Sequence, residues 1–292
     1  MFFTPRNVVC YNVAMQYTLW VVSPYSHSEC FREVAQSLQS AFIELGHGCE
    51  IITTPPITRE NVIILGAHLL HPNDILYLKN PIVWQLEQMP DESDEERARA
   101  PWTATYVQIL RRAEVWDYSR VNIETLGRLG IEAKLLEVGY AKCLTRIENV
   151  AEPDIDVLFI GSMNDRRHKV LTELNNCGVK VVHAFDCYGL KRDMLVARAK
   201  IILNVHFFAA KIFEVVRCSY MLANRKCVVS ETGLDKELED GLSEGIAFVE
   251  YGGLVDRCVN LLGDSDACEQ LGQRGFEVMS KRSQTEYLKA VL

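Results

Sequence analysis

The chain alternates short apolar runs with longer stretches in which apolar positions recur at helical spacing. In the first half the apolar runs have the length and composition of buried strands, and they occupy residues 18–22, 49–53, 62–66, 82–86, 115–118 and 133–136. Amphipathic helices are predicted between them, over residues 29–45, 98–113 and 120–129. Strands that alternate with helices at this spacing predict a parallel, doubly wound α/β lobe.

The same pattern returns in the second half of the chain. Further strands are predicted at residues 157–161, 179–182, 201–204, 227–230 and 245–249. Helices are predicted at residues 165–175, 191–198, 211–223, 254–262 and from 266 to the end. Between the two halves, residues 141–154 lose the apolar rhythm and are interpreted as a linker.

We therefore expect two Rossmann-like, doubly wound lobes that face a central cleft. The first covers residues 1–140 and the second covers residues 155–292. The last helix of the second lobe could pack back on the first. Ligands of open α/β sheets bind at the carboxyl ends of the strands, so the site is expected in the cleft.

The loop after the first strand of the second lobe has the features of a diphosphate site. The strand ends at Gly161, Ser162 follows, and Arg166 and Arg167 open the next helix. Glycine lets the backbone approach an anion, N–H groups of a helix N-terminus point at it, and arginines add charge-assisted hydrogen bonds. The alternative is an ordinary loop with solvent-exposed arginines. Neither a GxGxxG nor a Walker A motif is present, which argues against NAD and ATP sites.

A second candidate segment lies in the predicted helix over residues 211–223. Lys211, Glu214 and Arg217 are spaced to share one helix face, where they could form a ladder of surface ion pairs. The neighbouring positions are apolar, however, and a Glu near the start of such a helix is placed to accept hydrogen bonds from ribose hydroxyls. Ser219 lies further along the same helix and is also a candidate for the donor site.

These two segments resemble a known family. Residues 213–230 are similar to the stretch F-G-L-x-x-x-E-A-M-A-x-G-x-P-V-V-x-S of GT-B glycosyltransferases, in the F-E variant of their spore-protein-like, group-one relatives. The opening of the second lobe is also similar to theirs, and the resemblance covers about residues 155–265. It implies a GT-B fold whose second lobe holds a nucleotide-diphosphate sugar. The acidic ends of the family's E-x7-E motif fall on Lys211 and Ser219, which leaves retention or inversion of configuration open.

The first lobe supplies the candidates for catalysis. Glu87 follows a buried strand, where a carboxylate can deprotonate an acceptor hydroxyl, although it could instead cap the next helix. His68 and His71 follow the preceding strand and could serve as the base, or could simply form hydrogen bonds.

The second lobe offers one further loop, and it offers no motif for a metal. Thr232 follows the strand at residues 227–230 and could approach the donor, or could belong to a plain turn. No D-x-D motif follows a strand, so no essential metal is predicted. No cofactor is predicted either, since the nucleotide sugar acts as co-substrate.

The composition of the chain limits the partners and the cellular compartment that can be expected for it. The formal net charge of −8 argues against a whole-protein field that attracts nucleic acid or anionic lipid. The ten cysteines form no C-x-x-C pair, which favours free thiols in a reducing compartment. The chain has neither a signal-peptide pattern nor an apolar run of the ~20 residues that cross a bilayer. A cytoplasmic location is expected, with peripheral membrane association left open.

We therefore expect a metal-independent glycosyltransferase of hexosyltransferase type. Arg166, Arg167 and Lys211 would neutralise the donor diphosphate, and Glu214 would hold the ribose. The acceptor would be the hydroxyl of a sugar, a lipid-linked glycan or a protein, in the synthesis of cell-surface glycans or glycoconjugates. The alternatives are an epimerase that acts on the nucleotide sugar and a non-catalytic protein that binds it.

Overall fold

The first lobe is built on a six-stranded sheet in which every recorded strand pairing is parallel. The computed structural model describes residues 14–23, 26–89, 101–208 and 211–292, without the side chains of residues 26–28, 101 and 102. Six strands form the first sheet: β1 (Gln16–Val21), β2 (Gly48–Ile52), β3 (Val62–Leu65), β4 (Ile82–Gln85), β5 (Glu114–Asp117) and β6 (Ala133–Leu135). Their order is β2-β1-β3-β4-β5-β6.

Helices cover both faces of this sheet. They are α1 (Arg32–Glu44), which follows a 3₁₀ turn at Ser26–Phe31, α2 (Pro101–Leu110) and α3 (Arg120–Arg128). Ile63 and Leu65 of β3 pack into one apolar cluster, and Val62 and Ile64 pack into the cluster on the opposite face. A strand that is buried on both faces needs apolar residues at every position, which explains the uninterrupted Val-Ile-Ile-Leu run.

The second lobe is built on a five-stranded parallel sheet. Its strands are β7 (Ile155–Ile160), β8 (Val181–Ala184), β9 (Ala199–Asn204), β10 (Cys227–Glu231) and β11 (Ala247–Val249), in the order β11-β10-β9-β7-β8. Its helices are α4 (Asp165–Asn176), α5 (Gly189–Arg198), α6 (Val215–Ala223), α7 (Lys236–Asp240), α8 (Leu254–Leu262), α9 (Ser265–Ser280) and α10 (Gln284–Lys289). The strand order reverses between β7 and β9, so a crevice forms at their carboxyl ends.

All eleven predicted strands are present, and the fold class of two doubly wound lobes is confirmed. Two helices differ from the prediction. The helix expected from residue 211 begins only at Val215, because Lys211 adopts a left-handed φ of 45° that an α-helix does not continue. The helix expected from residue 266 to the end stops at Ser280 and restarts at Gln284.

Two other predicted helices are shorter than expected. The helix expected from residue 29 begins as a 3₁₀ turn and becomes an α-helix at Arg32. The helix expected over residues 98–113 is observed as Pro101–Leu110, and residues 98–100 of that prediction lie outside the described ranges.

The last helix crosses back to the first lobe, where α10 packs on α1. Tyr140 forms an isolated parallel bridge with Ser283, and the backbone N–H of Gly139 donates to Gln284 Oε1 at 2.7 Å. A Cβ atom at Gly139 would lie 2.7 Å from the Gln284 Cα, so only glycine allows this approach. The C-terminal segment therefore ties the lobes together next to the start of the linker, at Gly139 and Tyr140. Across the residues described, no helix has the length and apolarity needed to span a membrane.

Candidate functional site

A cavity of about 290 Å³ lies in the cleft between the two lobes. It sits at the carboxyl ends of β4, β7 and β9, where the topology predicts a ligand site. Five of the predicted site residues line it: Glu87, Gly161, Ser162, Arg167 and Glu214. In the described part of the chain, the other predicted residues lie outside its lining: His68, His71, Arg166, Lys211, Ser219 and Thr232.

Two arginines converge on Gly161 at the floor of the cavity. Gly161 has a φ of 150°, and a Cβ there would lie 3.2 Å from Arg217 Nη2 and 3.4 Å from Arg167 Nη1. Arg167 donates from Nε and Nη2 to the Val205 carbonyl at 2.9 and 2.6 Å, and from Nη1 to the Ser162 carbonyl at 2.9 Å. Because backbone carbonyls hold Arg167 without a full counter-charge, positive charge accumulates beside the cavity.

The surroundings of Arg167 are apolar as well as cationic. Its side chain is 2% exposed, and its guanidinium lies 5.1 Å from the ring centroids of both Phe159 and Phe207. Burial, together with the charge of Arg217, lowers the pKa of Arg167 to about 10. The group remains protonated at neutral pH, in a place where an incoming anion would relieve its electrostatic cost.

Glu214 lies next to this pair, directly before α6. Its Oε2 accepts from Asn204 Nδ2 at 2.8 Å and lies 3.0 Å from His206 Nδ1. Its Oε1 lies 3.7 Å from Arg167 Nη2 and finds no hydrogen-bond partner among the residues that the structure describes. Burial alone would raise the pKa of Glu214, but the bond to His206, the charge of Arg217 and the bond to Asn204 lower it to about 2. The carboxylate is therefore ionised, and its Oε1 is a buried acceptor without a hydrogen-bond partner in the described part of the chain.

Arg166 and Lys211 are engaged elsewhere. Arg166 forms a two-pronged pair with Glu231, with Nη1 to Oε2 at 3.0 Å and Nη2 to Oε1 at 2.6 Å. Lys211 Nζ lies 3.4 Å from the same carboxylate, whose side chain is 1% exposed. The adjacent arginines of the predicted phosphate loop thus have different surroundings. Arg166 is hydrogen-bonded to a carboxylate, whereas Arg167 is hydrogen-bonded to backbone carbonyls and approaches Glu214 only at 3.7 Å.

The remaining second-lobe candidates and His71 also make local contacts. Thr232 Oγ1 donates to Glu239 Oε2 at 2.5 Å. Ser219 is buried inside α6. His71 caps the short 3₁₀ helix Pro72–Ile75.

On the first-lobe side, the structure brings two of the predicted catalytic residues together. Glu87 follows β4 and lines the cavity with 28% of its side chain exposed. His68 Nδ1 lies 3.7 Å from Glu87 Oε1. Glu87 therefore faces the cleft with a histidine beside it, across from the arginine pair.

A buried ion pair joins the lobes at the cavity edge. Glu33 of α1 accepts from Arg192 of α5 through both oxygens, at 3.0 and 2.8 Å, and from Arg146 Nη2 at 2.8 Å. The two guanidiniums lie over the ring of Tyr220, with centroid distances of 4.3 Å for Arg192 and 5.2 Å for Arg146. This cluster fixes the distance between the two walls of the cleft.

Two features of the cavity are not predicted from the sequence. Arg217 was recognised as sharing a face with Glu214, but its direction toward Gly161 depends on how α6 packs. The loop at residues 185–188 lines the cavity, and Phe185 is 59% exposed there. Its position after β8, at the carboxyl end of a strand, is the signal that could have identified it. Among the residues described, no group of three His, Cys, Asp or Glu side chains is arranged for a metal ion, and metal independence stays a prediction.

Comparisons with known proteins give distant sequence relatives. No family model matches the chain. Its relatives include three uncharacterised proteins of Acanthamoeba polyphaga mimivirus. One is 32% identical over 112 residues, which are 37% of this chain and 13% of that protein. A second is 27% identical over 164 residues, 53% of each chain, and a third is 32% identical over 124 residues, 41% of this chain and 44% of the relative. The chain thus spans about half or less of the length of these relatives.

Solved structures establish the fold. HepE from Anabaena in complex with UDP-glucose matches with a TM-score of 0.61 and 11% identity, over 95% of this chain and 99% of HepE. WaaG, a glycosyltransferase involved in lipopolysaccharide biosynthesis, matches with a TM-score of 0.59 and 10% identity, over 95% and 98%. TarM matches with a TM-score of 0.57 and 10% identity, over 78% and 53%. The chain has the GT-B fold, as the resemblance implied.

Proposed function

We propose that this chain is a glycosyltransferase that moves a sugar from a nucleotide-diphosphate sugar to a hydroxyl acceptor. The observation that carries the proposal is the placement of Arg167 and Arg217 around Gly161, with Glu87 on the opposite wall of the cleft. In such a transfer the nucleoside diphosphate leaves, and negative charge grows on its phosphate. Fixed cations aimed at that charge lower the barrier.

The donor would lie against the second lobe. Arg167 and Arg217 contact the diphosphate, and Gly161 lets it approach the backbone. Glu214, whose buried Oε1 has no hydrogen-bond partner among the described residues, would turn this oxygen to the ribose hydroxyls. Arg166 and Lys211 contribute indirectly, because they hold Glu231, whose Oε2 also accepts from the backbone N–H of His206. The exposed ring of Phe185 offers the nucleobase an apolar face. The complex of HepE with UDP-glucose makes a UDP-sugar the first donor to test.

The acceptor would enter from the first lobe. Glu87 acts as the general base that removes the hydroxyl proton, and His68 steadies its carboxylate. The cations at the donor side are arginines, so the proposed reaction uses no metal. We propose a cytoplasmic location and a sugar, lipid-linked or protein acceptor in the synthesis of cell-surface glycans or glycoconjugates. The role named for WaaG supports this choice.

The test begins with binding of UDP-glucose by calorimetry, extended to GDP-, CMP- and dTDP-sugars. A bound donor at a hundredfold excess over its Kd should also stabilise the protein by about 2.7 kcal/mol. Release of UDP that depends on added glycan acceptors would support the transferase. Binding without turnover would instead favour a non-catalytic binder, a reading that Lys211 and Ser219 at the E-x7-E positions keep open. Conversion of the donor without acceptor would favour an epimerase, and no binding of any donor would contradict the proposal.

A further inference from the structure

A fully buried polar cluster lies beneath the loop that carries Glu87. Gln85 ends β4, Asp117 ends β5 and Asn122 lies in the first turn of α3, and each is 0% exposed. None of the three is among the residues that line the cavity, within the described part of the chain. Polar groups are kept in a protein interior only when they are hydrogen-bonded, so their partners indicate what the cluster does.

Asp117 receives hydrogen bonds from three N–H donors. Its Oδ1 accepts from the backbone N–H of Ser119 at 2.8 Å and from Asn122 Nδ2 at 3.1 Å. Its Oδ2 accepts from Gln85 Nε2 at 2.9 Å. Burial raises the pKa of Asp117, while these three donors oppose that rise. In this geometry both oxygens act as acceptors, and the two neighbouring amides must turn their NH₂ groups toward them.

The orientation of these amides determines how they hold the next residues. Gln85 Oε1 faces away from Asp117 and accepts from the backbone N–H of Glu87 at 2.5 Å, and Asn122 Oδ1 accepts from the N–H of Met89 at 2.8 Å. The Glu87 carbonyl accepts from Gln85 Nε2 at 2.6 Å and from Asn122 Nδ2 at 2.8 Å. The peptide groups on both sides of Glu87 are therefore clamped by two side chains that Asp117 orients.

The clamped loop also contacts the donor side. Gln88 Oε1 accepts from the backbone N–H of Ile212 at 3.2 Å, two residues before Glu214. This bond crosses from the first lobe to the second and is buried. A shift of the loop would therefore move Glu87 relative to the donor site as well as within its own lobe.

We propose that Asp117 is a positioning residue, which orients Gln85 and Asn122 so that they hold Glu87 in line with the donor site. The inference rests on the proposed role of Glu87 as the base. Asp117 touches neither donor nor acceptor, and its effect passes through the two amides.

The test is Asp117→Asn, which places an NH₂ group against the NH₂ group of Gln85. Hydrogen exchange of the Glu87 and Met89 amides, followed by mass spectrometry or NMR, should accelerate at least tenfold. The kcat for release of UDP from UDP-glucose, with water or glycan as acceptor, should fall by about tenfold. The Kd for UDP-glucose should stay unchanged, because the donor contacts lie on the other lobe.

Adding Gln85→Glu to Asp117→Asn returns an acceptor opposite the new amide and should restore part of the exchange protection and of kcat. Ser37→Ala is the matched control, since Ser37 is equally buried and bonds the Gly139 carbonyl away from this loop. Ser37→Ala should change neither the exchange rates of the Glu87 and Met89 amides nor kcat. If Asp117→Asn does not fold, Asn122→Ser tests the same clamp, because its shorter side chain no longer reaches Glu87 or Met89.

Unchanged exchange at Glu87 and Met89 in both variants would overturn the inference. So would a kcat that is unchanged while exchange accelerates, or a loss that Gln85→Glu does not reduce at all. A wild-type protein that neither binds nor turns over UDP-glucose or the other nucleotide sugars would overturn the proposed function. The exchange measurement needs no substrate, so it still decides whether Asp117 orients the clamp.

Discussion

The two walls of the cleft differ in charge and in how that charge is held. The first-lobe wall carries Glu33 and Glu87, and no Arg or Lys is found among its lining residues that the structure describes. The second-lobe wall carries Arg167, Arg192 and Arg217 together with two carboxylates, Asp186 and Glu214. Arg192 is paired with Glu33, whereas the two cations at Gly161 have Glu214 as a nearby carboxylate, with its Oε1 3.7 Å from Arg167 Nη2.

The difference lies in the partners of each group. Arg167 is satisfied by the carbonyls of Ser162 and Val205, which fill its hydrogen bonds without cancelling its charge. Glu87 is placed by neutral amides that bind its backbone and leave its carboxylate exposed to the cleft. In both walls, hydrogen bonds to neutral groups fix the position of the charged residue, and its charge remains to interact with a ligand. An anionic ligand group is therefore expected at the second-lobe wall. At the first-lobe wall we expect a hydroxyl whose proton Glu87 can accept.

Removal of the first-lobe base should have the largest effect. In Glu87→Gln, kcat for sugar transfer from UDP-glucose should fall by roughly 10²–10⁴, because general-base catalysis is lost. The Kd for donor should not change. Glu60→Gln, on the surface of the same lobe, is the control and should leave kcat as in the wild type. A Glu87→Gln protein with full activity would remove Glu87 from the mechanism.

The next largest effect is expected where the two walls are joined. Glu33→Gln leaves Arg192 buried with Asp193 as its remaining carboxylate, and the free energy of unfolding in urea should fall by about 3 kcal/mol. Arg120→Ala is the matched control, because it removes an exposed pair with Glu237 between the lobes, worth about 1 kcal/mol or less. Equal losses of unfolding free energy in both variants would show that the buried pair of Glu33 and Arg192 stabilises the fold no more than the exposed pair does.

Removing a positive charge from the second-lobe wall should weaken the binding of the nucleotide-sugar donor. Arg217→Met removes one of the two cations at Gly161 and should raise the Kd for UDP-glucose roughly 10- to 100-fold by calorimetry, as expected for a charged hydrogen bond. Arg198→Met is the control, since Arg198 pairs with Asp154 at the opposite end of the sheet. An unchanged Kd in Arg217→Met would exclude Arg217 as a diphosphate ligand.

The smallest effect concerns the carboxylate that lies among the second-lobe cations. The folded-state pKa of Glu214, about 2, is below its ordinary value of 4.5, so its ionised form stabilises the fold above pH 4.5. That contribution is lost as pH falls from 4.5 toward 2. Glu214→Gln should therefore lower the free energy of unfolding at pH 7 by about 1–2 kcal/mol, after allowance for solvent screening. The difference from wild type should narrow below pH 4.5, and a constant difference would contradict the assignment.

Much of the fold could be predicted from local pattern. The eleven strands follow from short runs of apolar residues, because a strand buried on both faces has no polar position to interrupt it. The floor of the cavity could be predicted in part, since Gly161 and Arg167 lie where a parallel sheet places its ligand. The start of α6 could not be predicted from the sequence. The left-handed backbone of Lys211 is imposed by its packing against the loop at Gly233. A Cβ at Gly233 would lie 1.8 Å from the Lys211 carbonyl oxygen.

The sequence by itself determined two parallel α/β lobes and the loops that meet in the cleft. Spacing along the chain decides local conformation and which faces are buried, so these features follow from it. Only the tertiary structure decided that Arg166 forms a two-pronged pair with Glu231 while Arg167 bonds backbone carbonyls, and that Asp117 orients the amides that hold Glu87. Such pairings join residues that are far apart in the chain. They depend on strand order and on the contact between lobes, which no local pattern contains.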